Sequence, residues 1–304
     1  MALRSLDNAL SITPERPKKI AKISFPTSKV KPSDFSVNDE NMAPVPVSGD
    51  VVIDYVSSED LTPLDDPEIQ IQILMGDLES KDWIKVCESL NVARRFALHH
   101  SILLLPTLEK VMIILVKAMK NPRSALCKTS IMTASDIFKS YGHDLLESST
   151  SEAFDQLLLQ LLLKSSQDKR FVCEEADKAL FVMVASIPPL PLLKKLRAFV
   201  SHSNPRVRAK AAVSFAQCVS EMGLEVMKEF GQVSLIQIAA EILNDRLPEA
   251  REAARKTVTS VYKAFEGDDE LKNSELTAIE SWQNFCTSNL SAIQAQSLIK
   301  IVTT

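Results

Sequence analysis

The stretch from Ser203 to Val219, with the sequence SNPRVRAKAAVSFAQCV, is the feature that most constrains the fold. Asn204 and Pro205 favour a helix start, because an Asn side chain caps free N–H groups and proline suits the first helical turn. Apolar residues then follow at helical spacing, at Val207, Ala211, Phe215 and Cys218. The stretch predicts a helix that begins at a tight turn and buries one stripe.

The same pattern occurs five times along the chain. We call Val207 the anchor of its helix, and equivalent stripes begin at the anchors Val86, Leu126, Val172 and Ala250. Repeats at intervals of about 35 to 46 residues are typical of helical arrays. Another apolar helix precedes each anchor helix, over Ile69 to Leu78, Leu108 to Met119, Phe154 to Leu163, Leu192 to Val200 and Val233 to Leu243. The pattern therefore predicts five helix–turn–helix pairs.

One such pair cannot bury its stripe alone, so neighbouring pairs must stack into a continuous core. The predicted fold class is all-α, a flat α-solenoid of the HEAT or armadillo type with about five to six helical pairs. One edge of this solenoid carries the short turns within the pairs, and we call it the turn edge. Its five turns are Ser80 to Asp82, Asn121 to Arg123, Ser165 to Lys169, Ser201 to Pro205 and Asn244 to Pro248.

The chain divides into a tail and one folded domain. Residues 1–63 contain prolines, serines and lysines without a sustained period, which predicts a mostly disordered tail. Val51 to Val56 is an exception, either an extended segment docked on the solenoid, a short partner motif or a transient strand. The folded domain covers residues 64–304, and residues 268–302 are predicted to form terminal helices that cap the stack.

Several functions are disfavoured by composition and by the motifs that the chain lacks. A net charge of -4 argues against non-specific nucleic-acid binding, and the longest apolar runs are too short for a membrane span. Phosphate-loop, dinucleotide, HExxH and CxxC motifs are absent, so we expect no enzyme activity, no cofactor and no metal. The five separated cysteines are predicted to be buried apolar residues in a reducing compartment.

An aromatic residue and a series of basic residues occupy the turn edge. The candidate binding residues are Trp83, Arg123, Lys169, Arg170, Arg206 and Arg246. A basic edge on an acidic chain suits an acidic partner, and Trp and Arg are favoured at interface hot spots. The alternative is that Trp83 caps the end of the core. Arg208 and Arg251 follow their anchors directly, and for these two we favour pairing with acids of the next repeat.

These features resemble a HEAT-repeat TOG domain, as found in CLASP, the XMAP215 group and the TOGARAM (crescerin) group. The resemblance covers residues 64–302 and is carried by Asp82-Trp83, the basic later turns and the NPRVR sequence of Asn204 to Arg208. It implies a non-catalytic module whose turn edge binds the tubulin heterodimer or microtubule, with Trp83 as the apolar anchor on one subunit and the basic residues on the other.

The resemblance also implies a cytoplasmic, cytoskeleton-associated protein. A single domain of this kind is visible, whereas family members that polymerise or stabilise microtubules usually carry several, so a small tubulin-associated protein is expected. The tail is a candidate site for an adaptor protein. The alternative function is a generic HEAT or armadillo scaffold that binds a peptide or an adaptor through a helical face.

Overall fold

The structure, a computed structural model, describes residues 55–147, 150–167, 169–267 and 277–303. Every regular element within these ranges is a helix, so the predicted all-α class is confirmed. The helices are α1 Pro67–Leu78, α2 Trp83–His99, α3 Ser101–Leu104, α4 Leu108–Met119, α5 Ser124–Tyr141, α6 Ser151–Gln167, α7 Arg170–Ser186, α8 Pro189–Val200, α9 Pro205–Glu221, α10 Leu224–Phe230, α11 Gln232–Ile242, α12 Pro248–Glu266, α13 Ala278–Asn289 and α14 Ala292–Thr303.

The five predicted pairs are α1/α2, α4/α5, α6/α7, α8/α9 and α11/α12. All five anchors are buried, and so are the stripe residues that follow them. The second helices pack in chain order, α2 on α5, α5 on α7, α7 on α9 and α9 on α12, while α9 also packs on α6. Burial of each Leu or Val side chain contributes roughly 1.5–3 kcal/mol. The stacked repeats thus share one core, as the repeat pattern predicts.

Two terminal helices follow the last pair. Helices α13 and α14 pack on each other and on α12. Trp282 of α13 is fully buried, with its ring centroid 5.4 Å from that of Tyr262 and 5.5 Å from that of Phe265. Ile293 of α14 is 79% exposed, whereas Leu298 of the same helix is fully buried. The predicted residues 268–276 of this cap lie outside the described residues.

Residues 55–64 form what we call the N-terminal strap, which lies along α2. The strap carbonyls of Thr62 and Pro63 each accept a hydrogen bond from Arg95 at 2.6 Å. Leu61 and Leu64 are buried. The packed chain therefore begins N-terminal of the predicted boundary at residue 64. Of the segment from Val51 to Val56, only Tyr55 and Val56 lie within the described residues.

Two further details differ from the sequence prediction. Ser165 and Ser166 belong to α6, where their hydroxyl groups donate back to the carbonyl of Leu162 at 3.0 and 3.1 Å, so the third turn is shorter than predicted. Short helices, α3 and α10, occupy two of the connections between pairs. None of the described helices combines the length and hydropathy that crossing a bilayer requires.

Candidate functional site: the turn edge

The first turn fixes Trp83 at the start of α2. Asp82 is the N-cap, and its Oδ1 accepts a hydrogen bond from the backbone N–H of Ile84 at 3.0 Å. The Asp82 N–H in turn donates to the hydroxyl of Ser80 at 3.1 Å. Such a cap stabilises a helix end by about 1 kcal/mol. Trp83 is half-buried, so part of its ring packs on the core and part remains accessible.

The second turn places Arg123 over that ring. The Asn121 side chain accepts a hydrogen bond from the Arg123 N–H at 3.0 Å and shapes the turn. The Arg123 guanidinium carbon lies 5.3 Å from the centroid of the Trp83 indole, within the range of a cation–π contact. The first two predicted site residues are therefore brought together, and one of them partly covers the other.

A groove of about 480 Å³ lies between the first two turns. Its apolar lining includes Trp83, Ile113 and Leu126, and its polar lining includes Lys81 and Lys117. Sequence reasoning missed both lysines as site residues. Lys81 lies in the first turn and could have been included, whereas Lys117 lies in the last turn of α4 and reaches the groove because the first two repeats stack there.

The third turn contributes Lys169 and Arg170, both exposed. Lys169 is the N-cap residue of α7. The Arg170 Nε donates to Glu174 Oε1 at 2.8 Å, and both side chains are more than half exposed. Exposed pairs of this spacing contribute only about 0.3–0.5 kcal/mol, so Arg170 is available to a stronger acidic partner at little cost.

The fourth turn contributes Arg206, which is exposed. Its backbone N–H donates to the capping side chain of Asn204 at 3.0 Å, which confirms the cap predicted from the sequence. Its guanidinium Nη1 donates to the carbonyl of Ser166 at 3.4 Å. Arg206 thus reaches from the fourth turn to the end of α6, and the third and fourth turns adjoin.

Arg208 links the fourth turn to the fifth. Its Nε donates to Asp245 Oδ2 at 2.7 Å, and its Nη1 donates to the carbonyl of His202 at 2.9 Å. Partial burial of Asp245 opposes its charge, but hydrogen bonds from the Leu247 N–H and from Arg208 outweigh this and lower the pKa of Asp245. The predicted pairing of Arg208 with an acid of the next repeat is confirmed.

The fifth turn separates a structural arginine from an exposed one. Arg251 Nη1 donates to the carbonyls of Asp245 and Arg246 at 2.8 and 2.9 Å, so Arg251 supports its own turn instead of pairing with an acid of the next repeat as predicted. Arg246 is exposed, and its guanidinium makes no hydrogen bond or ion pair within the described ranges. The turn edge therefore presents one half-buried aromatic ring and exposed cations from the second turn onwards, which suits an acidic protein surface.

Groups arranged for metal binding are not found at this edge. Among the described residues, no three His, Cys, Asp or Glu side chains converge as metal ligands. Three of the thiols are unsuited to reaction, since burial raises the pKa of Cys87 to about 11 and those of Cys218 and Cys286 to about 12. The chemistry that the site offers is apolar and electrostatic contact.

The fold is that of a helical-repeat α-solenoid whose short turns lie along one edge. The chain belongs to the CLASP N-terminal family of TOG-domain proteins, since the family model "CLASP N terminal" matches residues 98–272. The predicted resemblance is thereby confirmed at the level of the family.

Two relatives share part of this chain. The "TOG array regulator of axonemal microtubules protein 1" of Mus musculus is 29% identical over 208 residues, which is 67% of this chain and 11% of that protein. The Homo sapiens protein of the same name is 32% identical over 161 residues, 52% of this chain and 9% of that protein. The chain thus matches about a tenth of the length of these relatives.

Solved structures show the same fold. A TOG domain of Zyg9 from C. elegans superposes with a TM-score of 0.54 and 18% identity, covering 81% of this chain and 88% of that one. An N-terminal domain of MAST/Orbit gives a TM-score of 0.52 with 16% identity, covering 79% and 96%. A TOG domain of crescerin gives 0.50 with 13% identity, covering 81% and 90%. At these identities the likeness concerns the fold alone.

Proposed function

We propose that this protein is a non-catalytic module that binds tubulin or microtubules through its turn edge. The observation that carries the proposal is the half-buried Trp83 ring under Arg123, at one end of a series of adjoining turns that present exposed cations. Trp83 would provide the apolar anchor. The electrostatic contacts would come from Arg123, Lys169, Arg170, Arg206 and Arg246.

The names of the related proteins support this reading. The mouse and human relatives are named as regulators of axonemal microtubules. Structures of similar fold come from work on TOG–tubulin binding specificity and on microtubule regulation by a TOG array in the primary cilium. By the same argument we propose that this protein associates with the cytoskeleton.

Binding at this edge would combine two effects of different range. The cations would steer an acidic partner, and this attraction weakens with salt because exposed charges are screened over about 8–10 Å at physiological ionic strength. The Trp83 ring would act at contact, where a hot-spot residue contributes roughly 2 kcal/mol or more. Affinity should therefore fall with salt, yet depend most strongly on one aromatic side chain.

The test is co-elution of the full chain with purified tubulin on size exclusion at low salt. The Trp83→Ala variant should bind about 30-fold more weakly or worse, which corresponds to the loss of a hot spot. Arg206→Glu should weaken the complex and make it less sensitive to salt. Circular dichroism and thermal melting establish that each variant is folded.

Two matched variants serve as controls. Ile102→Ala removes an apolar side chain that is 83% exposed and lies away from the turns. Lys110→Glu makes the same change of charge as Arg206→Glu, at the end of α4 remote from its turn. Tubulin binding that survives Trp83→Ala and Arg206→Glu as well as it survives these controls would refute the proposal and favour a generic HEAT or armadillo scaffold that binds a peptide or adaptor through a helical face.

A further inference from the structure

A second groove, of about 650 Å³, lies on the outer face of the second helices in the C-terminal half of the solenoid. We call it the α9/α12 groove. It runs between α9 and α12 and is flanked by Phe181 of α7. The side chains on its floor include Ala216 and Ser220 of α9 with Ala253 and Ser260 of α12. Because these side chains are small, the surface between the two helices is left open.

Apolar side chains that normally avoid water are exposed at this groove. Phe181 is 59% exposed and Val213 is 38% exposed. Both belong to helices whose opposite faces fill the core, so neither is needed to complete the packing of its own repeat. A contiguous apolar patch rimmed by polar residues is characteristic of an interaction site. Helical grooves of this kind accept the apolar face of an amphipathic helix.

Among the described residues that line the groove, cations without an ion pair outnumber carboxylates without one. Glu249 pairs with Lys210 at 3.0 Å and Glu252 with Arg255 at 3.1 Å, whereas Glu221 accepts a hydrogen bond from the Gln217 side chain at 3.4 Å. Lys256 and Lys263 also line the groove, and neither forms an ion pair within the described part of the chain. Seven residues apart on α12, they are separated by about 10 Å, which matches the spacing of carboxylates two turns apart on a facing helix.

The N-terminal strap occupies the same face at the other end of the solenoid. Arg95, which binds the strap, lies nine residues after the anchor Val86. Phe181 and Ala216 lie nine residues after the anchors Val172 and Val207, so the three residues occupy equivalent positions on their helices. The strap therefore covers this face on α2 and α5, and no other segment within the described ranges covers it on α7, α9 and α12.

We propose that the α9/α12 groove binds an acidic amphipathic helix of a partner protein. Apolar side chains of that helix would pack on Phe181, Val213 and the alanine floor. Its carboxylates would meet Lys256 and Lys263. The candidate tubulin-binding residues do not line this groove, so one module would hold a second partner while its turn edge is engaged.

The experiment uses the full chain and a fluorescein-labelled synthetic peptide that places leucines at i, i+3, i+4 and i+7 of a glutamate-rich helix. Fluorescence anisotropy should show binding that weakens with salt. Phe181→Ala and Lys256→Glu should each reduce affinity about tenfold or more, the range for central interface residues. A scrambled peptide of equal composition, and a counterpart with lysine in place of glutamate, should bind at least about tenfold more weakly.

Control variants locate the binding. Ile102→Ala and Lys110→Glu change an exposed apolar residue and an exposed charge elsewhere, and both should leave peptide affinity unchanged. Trp83→Ala should also leave it unchanged, which separates this site from the turn edge. The proposal is overturned by absence of binding, by equal binding of the scrambled peptide, by insensitivity to Phe181→Ala, or by loss of peptide binding in Trp83→Ala.

Discussion

The Nε of Arg94 donates to Asp136 Oδ2 at 2.7 Å, and the two side chains are 1% and 0% exposed. This ion pair joins α2 to α5 inside the core. Its remaining hydrogen-bonding groups are satisfied largely by the N-terminal strap. Arg94 Nη1 donates to the carbonyl of Val56 at 2.7 Å, and the hydroxyl of Ser58 donates to Asp136 Oδ1 at 2.6 Å. A buried charge pair is thus completed by the strap.

Removal of one charge from this pair should be strongly destabilising. Asp136→Asn keeps the size of the side chain but leaves the Arg94 guanidinium buried without a counter-charge, which costs about 3–5 kcal/mol. Urea unfolding followed by circular dichroism measures the loss. Glu174→Gln, which disrupts the exposed pair with Arg170, is the control and should change the unfolding free energy by less than about 0.5 kcal/mol. Equal effects of the two changes would contradict a structural role for the buried pair.

The strap itself should contribute to stability. A chain that begins at Leu64 loses the burial of Leu61, worth about 1.5–3 kcal/mol, and two hydrogen bonds to the buried charged pair worth about 1.5–3 kcal/mol each. We therefore expect its free energy of unfolding to be lower by at least about 4 kcal/mol than that of a chain that begins at Tyr55. Urea unfolding of the two proteins is the measurement. Indistinguishable midpoints would show that the domain begins at residue 64, as its sequence predicts.

The core of the repeats could be predicted from sequence because it depends on local spacing. The second helices with the anchors Val172, Val207 and Ala250 repeat an apolar residue at four, eight and eleven positions after the anchor, and the other two depart from this only at Arg94 and Ser130. One face of a helix collects all of these positions. The capping residues of the turns were equally predictable, since the side chains of Asn204 and Asp82 accept hydrogen bonds from backbone N–H groups only two residues away.

The features that sequence reasoning missed depend on contacts between distant parts of the chain. The strap is held by Arg94 and Arg95, which come more than thirty residues later and carry no local sign of that role. Lys117 reaches the first groove because two repeats stack there. The exposure of Phe181 depends on which parts of α7 the neighbouring helices cover. The helical spacing of apolar residues within α7 does not predict this.

The cysteines should differ in reactivity while the protein is folded. Burial raises the pKa of Cys87 from an ordinary 9.0 to about 11 and that of Cys218 to about 12, so both stay protonated near neutral pH. Cys173 is less buried than the other four. Iodoacetamide labelling with mass spectrometry should therefore modify Cys173 first, because alkylation needs an accessible thiolate.

The same shifts give a pH dependence with a definite sign. When a thiol has a higher pKa in the folded state than in the unfolded state, its contribution to stability is complete at any pH below the unfolded-state pKa. As the pH rises above that value, the unfolded chain loses the proton first, and the contribution is lost by the time the pH passes the folded-state pKa. Stability should therefore decline between about pH 9 and 12, the window set by Cys87, Cys218 and Cys286. Cys218→Ala should reduce the decline measured by urea unfolding. An unchanged decline would assign it to other groups.

Arg206 and Arg208 lie in one helical turn but should respond differently to substitution. Arg208→Ala removes a hydrogen-bonded pair with Asp245 and should lower the unfolding free energy by about 2 kcal/mol, as hydrogen bonds to charged groups contribute about 1.5–3 kcal/mol. Arg206→Ala should change stability by less than about 0.5 kcal/mol and weaken tubulin binding instead. Thermal melting and tubulin co-elution of both variants separate the two roles. A reversed pattern would assign the binding role to Arg208.

Arg123 should shield Trp83 from solvent. The chain has two tryptophans, and Trp282 is fully buried, so acrylamide quenching of the accessible fraction reports on Trp83. Arg123→Ala removes the guanidinium that lies 5.3 Å from the ring and should increase that quenching. Lys110→Ala, at an exposed lysine remote from the ring, should not change it, and Trp83→Phe should abolish the quenchable component. If Arg123→Ala left quenching unaltered, the cation would not cover the ring in solution, and Trp83 would meet a partner without displacing Arg123.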